Sequence, residues 1–107
     1  MAEQNQPKTA MCPKYEEAVS MLGKKWTGLI LHVLLSGSTR FKEIKEMVPQ
    51  MSDKMLAERL KELEEFGIIE RKVYPEIPVR IEYQLTEKGS DLEKVVASIH
   101  EWGERWM

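Results

Sequence analysis

The sequence predicts a mostly helical α+β fold in which one two-stranded hairpin precedes the last helix. Three observations carry that prediction. Apolar residues recur at helical spacing through residues 13–66 and again through 86–106, whereas residues 79–85 alternate between apolar and polar. The chain has 107 residues, the length of one domain with one core; at this size roughly two-thirds of the unfolded surface leaves water on folding. With 42% hydrophobic and 32% charged residues, the composition is that of a globular chain that needs no disulfide or metal to hold together.

Residues 1–10 are polar, hold Pro7 and show no period, which reads as a flexible tail ahead of a folded unit over 11–107. Pro13 suits a first helical position and makes Cys12 the N-cap. That helix runs to about Leu22, with Tyr15, Val19 and Leu22 on one face, and Gly23 breaks it. The next runs from about Lys25 to Leu35. Its stripe of Trp26, Leu29, Ile30, Val33 and Leu34, widened by Leu31 and Leu35, marks a central helix buried on most sides. Ser36-Gly37-Ser38 ends it. Thr39-Arg40-Phe41 reads as a small strand or as the start of a helix; Phe41, Ile44 and Val48 then mark a short helix that Pro49 stops. Ser52 is a good N-cap for the following helix, whose apolar face is Leu56, Leu60, Leu63 and Phe66 and whose end Gly67 turns. Ile68 to Tyr74 reads as a strand, Glu76-Ile77-Pro78 as a loop, and Val79, Ile81, Tyr83 and Leu85 as the inward side of a half-buried second strand. Thr86 caps a single final helix carrying Leu92, Val95, Val96, Ile99, Trp102 and Trp106.

Composition excludes several functions. No apolar run approaches the ~20 residues of a membrane helix, and MAEQNQPKTA lacks the apolar stretch of a signal peptide. The single Cys12 cannot form an internal disulfide and fits a reducing, cytoplasmic compartment with no membrane partner. Zinc-finger spacings, Gly-rich phosphate loops and nucleophile motifs are all missing, and His32 and His100 fall on different apolar helices, so neither enzyme chemistry nor a metal or other cofactor is expected. The net charge of −2 hides an asymmetry: residues 8–61 carry ten Lys/Arg against six Asp/Glu, and residues 62–107 carry six against eleven. A face that meets a polyanion would give such a split, as would uneven charge on solvated helices.

The tight turn Pro49-Gln50-Met51 between the third and fourth helices, followed by a hairpin, is the order of a helix-turn-helix with a β-wing. The Leu56/Leu60/Leu63 face fixes the fourth helix to the core. Its opposite face therefore carries Lys54, Glu58 and Lys61, flanked by Met55, Ala57 and Glu62. A major groove admits one such helix, N-terminal half first. Lys54, Arg59 and Lys61 offer donors to phosphate or guanine, Met55 and Ala57 offer apolar contact to thymine methyls, and Ser52 with the free N–H groups at the helix start suits a phosphate. Arg71, Lys72 and Arg80 flank a hairpin whose tip holds Pro75 and Pro78, a shape that projects cations toward a neighbouring phosphate or minor groove. Charges that merely solvate a helix, or guard a sheet edge, are the alternative.

These residues resemble the HxlR-type winged helix-turn-helix regulators, relatives of the MarR group. The resemblance covers about Cys12 to Trp106 and rests on Lys25-Trp26, Arg40-Phe41, Ser52-x-Lys54-x-Leu56, Tyr74-Pro75-Glu76-x-Pro78 and Tyr83-x-Leu85-Thr86. Lys24 departs from the pattern where the family usually has a second Gly, and Val79 where it often has Pro. The resemblance implies a bacterial, cytoplasmic homodimer that binds palindromic double-stranded operator DNA, as a repressor, and dimerises through its terminal helices. Independently, Val95, Val96, Ile99, Trp102, Trp106 and Met107 give the last helix more apolar surface than one small core requires, with Val95, Ile99, Trp102 and Trp106 the expected interface. Cys12, at a helix start near Lys14, is placed as a reactive thiolate; several similar regulators answer to quinones, aldehydes or oxidants through one cysteine at this position. A small hydrophobe in the dimer interface is the alternative for Cys12. A regulator gated by a small molecule, and a winged-helix module that binds protein instead of DNA, also remain open.

Overall fold

The computed structural model describes residues 12–37 and 39–107; the tail expected over residues 1–10 lies outside them. Six helices and one hairpin follow in the order α1 (Pro13–Leu22), α2 (Thr27–Leu35), α3 (Phe41–Met47), α4 (Asp53–Glu65), β1 (Ile69–Tyr74), β2 (Arg80–Leu85), α5 (Glu87–Ser90) and α6 (Glu93–Trp106). The fold class is as expected, mostly helical with one antiparallel wing.

The core forms around α2. Its Ile30, Leu31, Val33 and Leu34 are buried against Ile44 and Val48 of the α3 region, Met51 of the turn, Leu56, Leu60 and Leu63 of α4, and Ile68 and Ile69 at the entrance to the hairpin. Burying each of the three leucines of α4 contributes about 1.5–3 kcal/mol, which is what fixes that helix in rotation. The strands pair antiparallel from Ile69↔Leu85 to Tyr74↔Arg80.

Five local features differ from the sequence reading. The central helix starts at Thr27, not Lys25, because Trp26 takes a left-handed backbone (φ 78°) ahead of it, and the Thr27 N–H closes the turn on the Lys24 carbonyl at 3.1 Å. No residue of α1 is buried in the chain; Tyr15 and Val19 point to solvent and Leu22 is half-buried. Phe66, expected on the apolar face of α4, is exposed. All six residues of β2 are half-buried, without alternation, because the polar side also shields itself: Arg80 pairs with Glu82, and the Gln84 amide donates to Glu82 at 3.3 Å. The last helix is split into α5 and α6. Thr86 does cap as expected, its Oγ1 accepting from the Gly89 N–H at 3.1 Å and donating to the Gly67 carbonyl at 2.6 Å. That holds α5 so tightly on the strand entrance that a Cβ on Gly89 would lie 2.1 Å from the Ile68 carbonyl oxygen. The chain then turns through Asp91 and Leu92 before α6 begins.

Thr39-Arg40-Phe41 is the start of a helix and forms no strand. The Glu43 carboxylate accepts from the Thr39 and Arg40 N–H groups, both at 3.2 Å, which starts α3 at Phe41 and holds that carboxyl below the usual range. The Thr39 carbonyl in turn accepts from the Tyr83 N–H at 2.8 Å, a single strand-like bond joining the α3 start to the wing.

Candidate nucleic-acid interface

α4 begins where Ser52 Oγ accepts from the Met55 N–H at 3.1 Å, an N-cap worth about 1 kcal/mol. The turn before it is pinned by Lys45, whose Nζ donates to the Pro49 carbonyl at 3.2 Å and lies 4.0 Å from Asp53. With Leu56, Leu60 and Leu63 inward, Lys54, Glu58 and Lys61 are exposed on the outer face. Among the described residues neither Lys54 nor Lys61 meets a carboxylate within 4 Å. Ala57 is exposed beside them.

Met55, Arg59 and Arg80 depart from the expected placement. Met55 is half-buried and packs against the core instead of lying free on the outer face. Arg59, expected to offer donors outward, has a side chain only 12% exposed. Its Nε donates to the Lys25 carbonyl at 2.9 Å, and a terminal nitrogen reaches both carboxylate oxygens of Glu62 at 3.3 Å. Arg80 faces its own hairpin rather than projecting from it. It pairs with Glu76 at 2.9 Å and with Glu82, and its guanidinium lies 4.0 Å from the centre of the Tyr74 ring. The two carboxylates raise the Arg80 pKa further above its ordinary value, and the bond from Arg80 holds Glu76 below the usual carboxylate range. The exposed cations left on the wing are Arg71 and Lys72, the latter 3.9 Å from Glu70. The wing tip carries a cis Ile77–Pro78 bond and a fully exposed Ile77.

Two exposed cations not assigned to DNA from the sequence stand at the start of α3. Arg40 is exposed at the start of α3, the segment that the Tyr83 N–H ties to the hairpin through the Thr39 carbonyl. Lys42 follows it, exposed. The signal was present in Arg40-Phe41-Lys42, but it takes the packing of α3 on β2 and the bond from Tyr83 to Thr39 to bring that segment beside the hairpin.

On α6 the expected interface residues form an unpartnered stripe: Ile99 is 61% exposed, Trp102 57% and Trp106 66%, with Val95 less so. Tyr15 and Val19 of α1 and Leu29 of α2 are also bare. Between α2 and α6 runs an open groove of about 370 Å³ walled by Leu22, Trp26, Leu29, Val96 and Ile99. His32 and His100, which the sequence placed on separate helices, meet across it with stacked rings 5.5 Å apart. Cys12 is exposed at the N-cap of α1, and its side chain makes no capping bond.

Comparison with known proteins agrees with this geometry. The HxlR-like helix-turn-helix family matches residues 21–107. The HTH-type transcriptional regulator YodB of Bacillus subtilis (strain 168) is 56% identical over 96 residues, spanning 90% of this chain and 86% of YodB. The crystal structure of quinone-bound YodB superimposes with a TM-score of 0.76 at 53% identity, covering 90% of this chain and all of that one. The redox regulator HypR in its oxidized form gives 0.82 at 38% identity, over 90% and 98% of the two chains. No helix among the described residues is long and apolar enough to cross a membrane. An anchored helix after a tight turn, a two-stranded wing and these relatives together establish that the chain belongs to the HxlR-like helix-turn-helix family and is a transcriptional regulator of that type, not an enzyme.

Proposed function

We propose that this regulator binds palindromic operator DNA as a homodimer, acts as a repressor by occupying that DNA, and is released by chemistry at the Cys12 thiol. The observation that carries the DNA reading is the fixed rotation of α4: three buried leucines leave Lys54, Glu58 and Lys61 no direction but outward. A helix so presented enters a major groove with its first turns against the base edges, while Ser52 and the free N–H groups at its start take a phosphate. Arg71 and Lys72 supply wing contacts to the backbone, which position the protein without reading sequence. The bare Val95/Ile99/Trp102/Trp106 stripe supports a second copy as the partner, since an apolar patch of this kind on a small chain marks an interface. For Cys12 the support is its exposure, together with relatives described as quinone-bound or as a redox regulator.

The test is selection of genomic fragments by the purified protein, followed by mobility shifts at rising salt. The reading expects enriched palindromes whose binding weakens steeply with salt. Deleting the protein should raise expression from the promoters recovered. Failure to enrich any fragment would favour the protein-binding alternative.

A further inference from the structure

Arg59 and Glu62 sit one turn apart on α4, yet neither serves the core face or the outer face. Both reach across to the α1–α2 turn. Arg59 Nε holds the Lys25 carbonyl at 2.9 Å, Glu62 takes Lys24 Nζ at 2.8 Å, and the two side chains hold each other at 3.3 Å. The turn they grip is a strained one: Trp26, the next residue, has φ 78°, a conformation unfavourable for a non-glycine residue and kept only where neighbours impose it. The Trp26 ring lies under Lys25 Nζ at 5.1 Å and also walls the α2–α6 groove. One residue therefore touches both the platform that carries α6 and the segment that α4 grips.

We propose that Arg59, Glu62 and Lys24 form a strap that sets the angle of α4 against the α1–α2 turn, so that Arg59 is a positioning residue for operator reading and not a DNA contact. The proposal rests on the DNA reading of α4. Two half-sites are read together only if both α4 helices stand at a fixed distance and tilt. A small rotation of either helix then lowers affinity for the paired site while leaving backbone attraction intact. Lys24, where this chain departs from its family's usual pattern, adds a third arm to the strap.

The experiment compares wild type, Arg59→Ala, Glu62→Gln and Lys24→Ala as full-length protein. The specific probe is a duplex enriched by wild type from a random pool; the nonspecific probe is poly(dI-dC). The strap predicts that Arg59→Ala and Glu62→Gln each lose on the order of tenfold in affinity for the selected duplex. Affinity for poly(dI-dC) and the salt slope should stay near wild type in Arg59→Ala. Glu62→Gln is the sharper arm, because removing a negative charge beside DNA would by electrostatics alone strengthen binding. Lys24→Ala should lose less, since the Arg59–Glu62 pair persists. In all three, the Thr27 amide should exchange faster in the free protein. Equal losses on both probes, with a salt slope reduced by about one unit, would make Arg59 a phosphate contact and overturn the proposal. So would a Glu62→Gln protein that binds the selected duplex as tightly as wild type, or unchanged Thr27 exchange. If wild type enriches no duplex, the DNA reading fails and the positioning role with it; if wild type selects a duplex and the variants match it, only the strap fails.

Discussion

Lys54 and Lys61 lie on the same face of α4 as Glu58, and the three differ in what DNA would do to them. The two lysines gain phosphate or base acceptors; Glu58 can gain only a cytosine or adenine amino group. Replacing either lysine with alanine should weaken binding to the selected duplex, and each lost phosphate contact should lower the logarithmic salt slope by about one unit. Wild-type slopes in both variants would place the contact elsewhere. Residue by residue, the sequence was a good guide where a single periodic face decided orientation, as at Leu56, Leu60 and Leu63. It was a poor guide for long cations. Arg59 and Arg80 looked like free charges because their acceptors are found only after folding: a backbone carbonyl 34 residues away for Arg59, and for Arg80 a carboxylate in the hairpin tip. The i, i+3 spacing of Arg59 and Glu62 on one helix is compatible with pairing, but such spacings also occur on surfaces where both charges remain free.

At the scale of elements, the split between α5 and α6 was hidden in the sequence because Gly89 looks like an ordinary weak point within a helix. Its reason is a neighbour, the Ile68 carbonyl, which leaves no room for a side chain. Gly89→Ala should therefore push α5 off the strand entrance and destabilise the fold by about 1–3 kcal/mol, or more if the backbone cannot give. A thermal melt should fall by roughly 4–8 °C per kcal/mol in a domain of this size; an unchanged midpoint would mean that α5 relaxes freely. A second consequence concerns acid. Lys24, through its hydrogen bond, holds the Glu62 carboxyl below its usual value of 4.5, with Arg59 adding to the effect. Folding therefore stabilises the charged form. That contribution is fully present above the unfolded value and is lost as pH falls through the lowered folded value. Between neutral pH and about 4.5 the urea midpoints of wild type and Glu62→Gln should differ by a constant amount. Below that the gap should narrow, and a gap that persists to the lowest pH would show that charge is not what Glu62 supplies.

For the whole molecule, the apolar surface left bare on α1, α2 and α6 was legible in outline. Trp102 and Trp106 exceeded what one core could use, although nothing in α1 announced that Tyr15 and Val19 would also face outward. Helical period shows that a face is apolar, and only packing shows whether the same chain covers it. Ile99→Asp places a carboxylate in the middle of the stripe and should leave a folded monomer by light scattering, with loss of operator affinity because the half-sites are no longer linked. A dimeric Ile99→Asp protein would move the interface elsewhere. The proposed thiol switch belongs to this scale too, since an adduct on one exposed side chain would act by changing how two copies sit. Treated with a quinone or diamide, wild type should lose DNA binding and Cys12→Ser should keep it. Equal loss in both, or in neither, would make Cys12 a structural residue.

The bond from the Tyr83 amide to the Thr39 carbonyl gives the protein a fixed gauge length. Because β2 is stitched to the start of α3, and α3 runs by a pinned turn into α4, a swing of the hairpin on its own would break the Tyr83–Thr39 bond. If α4 reads DNA as proposed, wing and α4 would meet a duplex as one caliper, whose jaws span a set number of base pairs. Such a tool tolerates changes in base identity between its two contacts far better than the insertion or deletion of a single base pair there.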